Sequence, residues 1–280
     1  FSMGYTHQDI KELSGMASTT ANSSYGKYAA SDYNNRTPQR SIYETEHRFF
    51  ATASSTHYFL GADKPTTFNL YFERKSGLPG TYSWDTYTSR NYGGTAYQQE
   101  AFGYEKNLND DSSHLLYVPS GVSDPNVCWG SCAAPDLAIA AQVLDTLYNK
   151  LGLQGYAGQI VPNGVYEYPW RTSLDLKITQ ILPGFRAEDE FVISLGIMNL
   201  LNLIDSDKGE AKYGPYNGKM AVLDMYMNED FTKYIYPNYR GRGYPDYAYG
   251  YNSSNPKGIR KSAVNSIWRA QLGFTYKFSF

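Results

Sequence analysis

The 280-residue chain contains no run of 18 apolar residues, so no helix in it is long and apolar enough to cross a bilayer. That absence says nothing of barrel strands, which alternate apolar with polar residues and never register in a hydropathy window. Charge of one sign is missing too. A formal net charge of −2 gives no electrostatic footing for nucleic acid or an acidic membrane surface, and no nucleic-acid partner is expected. Cysteine occurs only as Cys128 and Cys132, in the segment CWGSC. Two ligands cannot close a structural zinc site, and no histidine lies near them in sequence. The pair reads as a small local disulfide of an oxidising compartment. The histidines, His7, His47, His57 and His114, are scattered, with no G-x-S-x-G or H-E-x-x-H around them. No catalytic residue, cofactor or metal is therefore expected. Nor does a secretory signal open the chain. Phe1, Met3 and Tyr5 alternate with Ser2, Gly4 and Thr6 from the first residue, and the expectation is the C-terminal part of something larger.

What is abundant is tyrosine, at 28 residues, within an aromatic content of 16%. The stretch that organises the chain is the last, Trp268 to Phe280. Trp268, Ala270, Leu272, Phe274, Tyr276, Phe278 and Phe280 share one face, and Arg269, Gln271, Gly273, Thr275, Lys277 and Ser279 the other. Such alternation makes a strand whose faces see different solvents. The aromatics gather towards the ends of the apolar face, as in a lipid-facing strand with girdles at both membrane interfaces. At ~3.3 Å per residue and a tilt of roughly 40°, Trp268 to Phe278 climbs about 25 Å, the height of an outer-membrane apolar band. The ending also resembles the C-terminal assembly signal of bacterial outer-membrane barrels, through Gln271, Gly273, Tyr276, Phe278 and Phe280. An ordinary edge strand is the alternative, although so aromatic a free edge invites aggregation.

Alternation recurs upstream. His47 to Leu60 and TTFNLYFE (66–73) make a hairpin about the short turn GADKP. Leu174, Leu176 and Ile178 alternate with Ser173, Asp175, Lys177 and Thr179, a pattern that fits lipid on one side and a polar lumen on the other. The turn PGFRAEDE leads to Phe191, Ile193, Leu195 and Ile197. Strands are thus expected near 1–9, 44–60, 65–76, 168–182, 189–204 and 262–280, as an arc of an all-β, antiparallel, up-and-down transmembrane barrel. The stretches near 10–43, 77–167 and 205–261 read as long irregular loops. Within the second, APDLAIAAQVLDTLYNKLGL carries a helical stripe, read as a loop helix packing on the barrel rim. Connections alternate long and short. Short turns near 61–65 and 183–189 would be periplasmic, with the C-terminus, and the long loops extracellular.

VISLGIMNLLNLI (192–204), WRTSLDLKI (170–178), SIYETEHRFFATAS, TTFNLYFERKSGLPGTYS and LLYVPSGVSDPN resemble stretches of TonB-dependent outer-membrane receptors, in the Oar-like, OmpA-related subgroup. The resemblance runs in order along nearly the whole chain. It implies a barrel of about 22 strands, of which this chain supplies the last six or so. It further implies a Gram-negative outer membrane. The implied partners are the rest of the barrel with its plug domain, the TonB complex through the absent N-terminal part, outer-membrane lipid and an unknown extracellular ligand.

The last long loop concentrates Tyr234, Tyr236, Tyr239, Arg240, Arg242, Tyr244, Tyr247, Tyr249 and Tyr251. Tyrosine offers wide amphipathic contact at small entropic cost, so these residues are the candidate substrate-binding set. A self-packed loop held by Pro, Gly and Tyr stacking is the alternative. Asp205, Asp207 and Glu210 read as a solvated acidic turn, since the full calcium-loop spacing is lacking. Two functions stay open: a TonB-dependent transporter, or a surface-binding or adhesive barrel without transport. An enzyme is not expected.

Overall fold

A computed structural model describes residues 1–13, 19–20, 24, 29–31, 35–86, 114–214, 218–228, 230, 232–237 and 258–278. The chain opens with β1 (Ser2–His7), then a short pair, β2 (Lys11–Glu12) with β3 (Gln39–Arg40). A hairpin follows, β4 (His47–His57) and β5 (Thr66–Lys75). The next insert contributes β6 (Pro79–Thr86), β7 (His114–Leu115), β8 (Tyr117–Val118), β9 (Val127–Trp129), a helix at Leu137–Leu144, β10 (Gln159–Ile160) and β11 (Tyr166–Glu167). A second hairpin joins β12 (Arg171–Pro183) to β13 (Glu190–Met198). The last insert supplies β14 (Lys212–Tyr213), β15 (Lys219–Met227), β16 (Tyr234–Tyr236) and β17 (Arg260–Lys261), before β18 (Arg269–Lys277).

Six long strands form one antiparallel sheet in the order β1-β4-β5-β12-β13-β18, and β1 and β18 are its edges. Its register carries the chemistry of the two faces. Across one face run rows such as Ala53, Leu70, Leu176, Ile197 and Ala270, then Ser55, Phe68, Ile178, Leu195 and Leu272. The opposite face carries Ser54, Asn69, Lys177, Gly196 and Gln271, then Thr56, Thr67, Thr179, Ser194 and Gly273. A one-residue slip in any strand would exchange its faces, so the alternation itself fixes the register. Two aromatic bands bound the apolar face. Tyr5, Phe49 and Trp170 stack at one end. At the other, Phe59 meets Phe68, Phe191 stacks on Phe274, and Tyr276 leans on Phe278.

The buried hydrophobic core of the described residues contains no side chain from these six strands. Phe274, Leu272 and Phe278 are each about 60% exposed, so this face carries a large exposed apolar surface. The core lies in a second body, a cap built from the inserts. Its sheet runs β11-β6-β15-β16-β9, with β7 beside β6. Here β6 pairs in parallel with β15, and β16 in parallel with β9, so strands from different inserts interleave. Tyr82, Leu116, Val118, Val143, Leu147, Val161, Met220, Val222, Leu223, Met225 and Tyr236 are essentially fully buried there. Each large apolar side chain so buried contributes about 1.5–3 kcal/mol.

The cap corrects the expectation of three irregular loops. Its strands are short, and β15 buries Met220, Val222, Leu223 and Met225 without alternation, so a period-2 reading passes over them. The Leu137–Leu144 helix is capped by Asp136, whose side chain accepts from the Ala138 N–H at 2.8 Å. Its Ala140 and Val143 enter the cap core, however, and so do not pack on a barrel rim. Two strand ends are also shorter than expected. Asn199 adopts φ 55°, which stops β13, and residues 200–204 turn into a helix. Ser262 caps a short helix at Ala263–Ser266, which delays β18 to Arg269.

The six-stranded sheet, called the wall below, and the cap are continuous. The β5–β12 ladder reaches Lys75 and Arg171, and Tyr168 N–H to the Leu78 carbonyl at 3.0 Å carries it on to the Pro79–Glu167 pair of β6 and β11. Gly77 permits the crossing. A Cβ built there would stand 2.1 Å from the Tyr168 carbonyl oxygen.

Candidate functional site

The polar face of the six-stranded sheet gathers the charged, amide and hydroxyl side chains of its strands. Its strands alternate by necessity, so every second residue of six strands converges on one side. Next to the cap, Arg48 donates through Nε to Glu73 Oε1 at 2.8 Å, and Lys75 Nζ lies 3.6 Å from the other Glu73 oxygen. Gly4 pairs with Phe50 and lets its ring lie across the strand, since a Cβ at Gly4 would meet that ring at 2.4 Å. Further from the cap is a depression of about 550 Å³ in which Thr52, Asn69, Asp175, Lys177 and Gln271 meet the apolar side chains of Phe1, Leu70, Leu176, Ile197 and Met198. It combines both charges, an amide pair and hydroxyls with a substantial apolar lining, a set suited to an amphipathic ligand.

Where wall meets cap, Arg40 holds three carboxylates. Its guanidinium reaches Glu44 at 2.5 Å, Glu46 at 2.6 Å and Glu167 at 2.7 Å, and a fourth bond runs to the Gly164 carbonyl at 3.3 Å. Burial works against the charge on Arg40, but hydrogen bonds to Glu167 and Glu44 outweigh it and raise its pKa. Burial likewise acts to raise the pKa of Glu167, and the bond from Arg40 more than reverses it. Glu44 Oε2 also accepts the Ile10 N–H at 2.6 Å, so the first insert is fastened at the same point. The fork geometry of arginine suits several carboxylates at once where lysine would not.

Inside the cap, several buried polar groups are matched to partners. Burial pushes Asp124 towards the neutral form, but N–H bonds from Ser120 at 2.6 Å and Asn126 at 2.8 Å, with the Tyr117 hydroxyl at 2.9 Å, hold it below the usual carboxylate range. Tyr166 and Tyr168 join hydroxyls at 3.2 Å, and burial pushes the Tyr168 pKa up to about 12. Glycines cradle both rings: a Cβ at Gly80 would strike the Tyr166 ring at 2.3 Å, and one at Gly214 the Tyr168 ring at 1.7 Å.

Of the candidate binding tyrosines, Tyr234 and Tyr236 are not on a surface loop. They form β16 inside the cap, with Tyr236 fully buried and Tyr234 stacked on Tyr117 at 4.6 Å. Period-2 spacing in YIY placed them in a strand, and the cap core took their rings. Tyr239, Arg240, Arg242, Tyr244, Tyr247, Tyr249 and Tyr251 lie outside the described residues. Cys128, in β9, and Cys132, just beyond it, are joined as a disulfide. In the assembly-signal set, Gln271 pairs with Gly196 and Gly273 with Ser194 on the polar face. The Tyr276 hydroxyl donates to Asp189 at 2.6 Å and accepts the Phe185 N–H at 3.0 Å, Phe278 stays exposed, and Phe280 lies outside the described residues. Asp205 is met by Lys208 at 3.4 Å, and Glu210 by Lys212 at 3.0 Å and by Lys261.

Sequence reading missed the Arg40 hub and Asn199. Arg40, Glu44 and Glu46 stood in a stretch without alternation, and their partner Glu167 is far along the chain. Asn199 was legible only as part of a resemblance. Its N–H donates to Asp175 at 2.8 Å, and its side chain donates to the Gly209 and Ser266 carbonyls at 2.9 and 2.8 Å. Comparison with protein families, curated proteins and solved structures finds no match to this chain.

Proposed function

We propose that this chain is the C-terminal arc of a TonB-dependent outer-membrane transporter, with the inserts as an extracellular cap that captures substrate and the polar face as part of its passage. The observation that carries the reading is the six-strand sheet whose apolar face, banded by aromatics at both ends, stays exposed while the apolar core of the described residues sits in the inserts. Water penalises such a face and lipid does not, and only a closed barrel can take strands through lipid. The charged polar face is what a hydrated lumen tolerates. Long inserts on one side and short turns on the other support an extracellular cap, and energy coupling through TonB is proposed on the resemblance alone.

A second reading, a surface-binding barrel without transport, is favoured by the cap's own folded core, which a binding module needs and a passive loop does not. The experiment compares cells that make the full-length protein with cells that lack it. Molecules captured from the medium are identified by mass spectrometry and followed into the periplasm, with and without a protonophore. Accumulation that the protonophore stops supports transport. Capture without accumulation supports the second reading. Recovery of the protein outside the outer-membrane fraction contradicts both.

A further inference from the structure

We propose that His7, Glu46 and His47 form a site for one divalent transition-metal ion at the cap end of the wall. Residue spacing alone does not suggest a metal, because these histidines belong to different strands. Antiparallel pairing sets them directly opposite each other, His7 on β1 against His47 on β4. The imidazoles stack with centroids 5.1 Å apart, and one ligand atom from each ring and one from Glu46 all lie within 4.8 Å of one another. His47 Nε2 is already 3.3 Å from Glu46 Oε1. Tetrahedral zinc bonds of ~2.0 Å set ligand atoms roughly 3.3 Å apart, so the group needs only a modest turn of the exposed His7 ring.

The supporting contacts are those that metal-binding histidines use. His7 Nδ1 donates to the Glu46 carbonyl at 3.2 Å, which fixes the tautomer with Nε2 as the acceptor nitrogen. His47 Nδ1 meets the Tyr5 hydroxyl at 2.9 Å. That hydroxyl donates or accepts, so it suits either tautomer when a metal takes Nε2 and displaces its proton. Glu46 divides its oxygens. Oε2 is held by Arg40 at 2.6 Å, and Oε1 faces the histidines. The Gln8 N–H to the Glu46 carbonyl at 2.9 Å locks the two segments together behind the site. Trp170 stacks on His47 at 5.9 Å and closes one side. Three protein ligands leave a fourth position open. Two imidazoles with one carboxylate select zinc, copper or nickel over magnesium or calcium. Bound there, the ion staples β1 to the segment that carries the Arg40 hub.

Untagged full-length protein in detergent is titrated with zinc against a chromogenic chelator, and circular dichroism checks the fold of each variant. One equivalent is expected to bind, with magnesium failing to compete. His7→Gln and His47→Gln should each weaken binding by more than about a hundredfold, beyond the roughly 10–100-fold losses usual for outer-shell changes at such sites. His57→Gln, at the far end of β4, should leave it unchanged. Glu46→Gln provides a further variant, which keeps the size of the side chain and removes the ligand charge. Zinc retained at full affinity by the folded His7→Gln/His47→Gln double variant, or no saturable zinc binding by the unaltered protein, overturns the proposal.

Discussion

The hydroxyl of Tyr236 donates to the backbone carbonyl of Tyr117 at 2.7 Å, joining residues 119 apart in the chain. Tyr236 stacks on Trp129 at 5.6 Å, and its burial pushes its pKa well above the ordinary value, so it stays a neutral donor. This bond ties the last insert to the middle one. Tyr236→Phe keeps the ring and leaves a buried carbonyl without its donor, a loss of about 1–3 kcal/mol. The cap should then be cleaved faster by limited proteolysis, while the wall strands stay protected.

Gly77→Ala should be far worse than a usual surface change. The added methyl would collide with backbone, the Tyr168 carbonyl, and not with a side chain that can turn away. The cost should fall on the ladder from β5–β12 into β6–β11, and hydrogen exchange of the Tyr168 amide should accelerate. An exchange rate unchanged from the native chain would contradict the continuous ladder.

Arg40→Met leaves Glu44, whose side chain is only 3% exposed, facing two other carboxylates without their shared cation. A loss of roughly 2–3 kcal/mol is expected from thermal unfolding, below the full range for a deeply buried pair because Arg40 is partly solvated. Glu44→Gln on top of Arg40→Met should recover part of that loss, since it removes the stranded charge.

Acid should loosen the cap through His114. Burial, with the charge of Lys219 second, lowers its pKa from 6.5 to about 4. A histidine depressed on folding takes up its proton more readily when unfolded. Its contribution is therefore complete above pH 6.5 and is lost as pH falls from 6.5 towards 4, by about 3 kcal/mol over the window. His114→Gln should flatten this part of the stability profile, measured by chemical unfolding at pH 7.5 and 5.

The wall was legible because alternation is a local property. Phe68, Leu70 and Phe72 against Thr67, Asn69 and Tyr71 need no knowledge of the partner strand. The cap was not, since β6 pairs with β15 and β9 with β16 across inserts, and two-sided burial erases the period. Tyr236 shows the cost. Its aromatic neighbourhood looked like a ligand surface, but its ring fills a core assembled from three separated stretches. The Arg40 carboxylate hub and the facing His7 and His47 were hidden for the same reason, as contacts made by pairing and not by spacing.

The most direct test of the wall crossing lipid is a cysteine and spin-label scan along β18 of the full-length protein in lipid vesicles. Labels at Ala270, Leu272 and Phe274 should collide with oxygen, which concentrates in lipid. Those at Gln271 and Thr275 should collide with a water-soluble nickel chelate, giving a period of two. Uniform access of the water-soluble reagent to both sets would contradict a membrane wall.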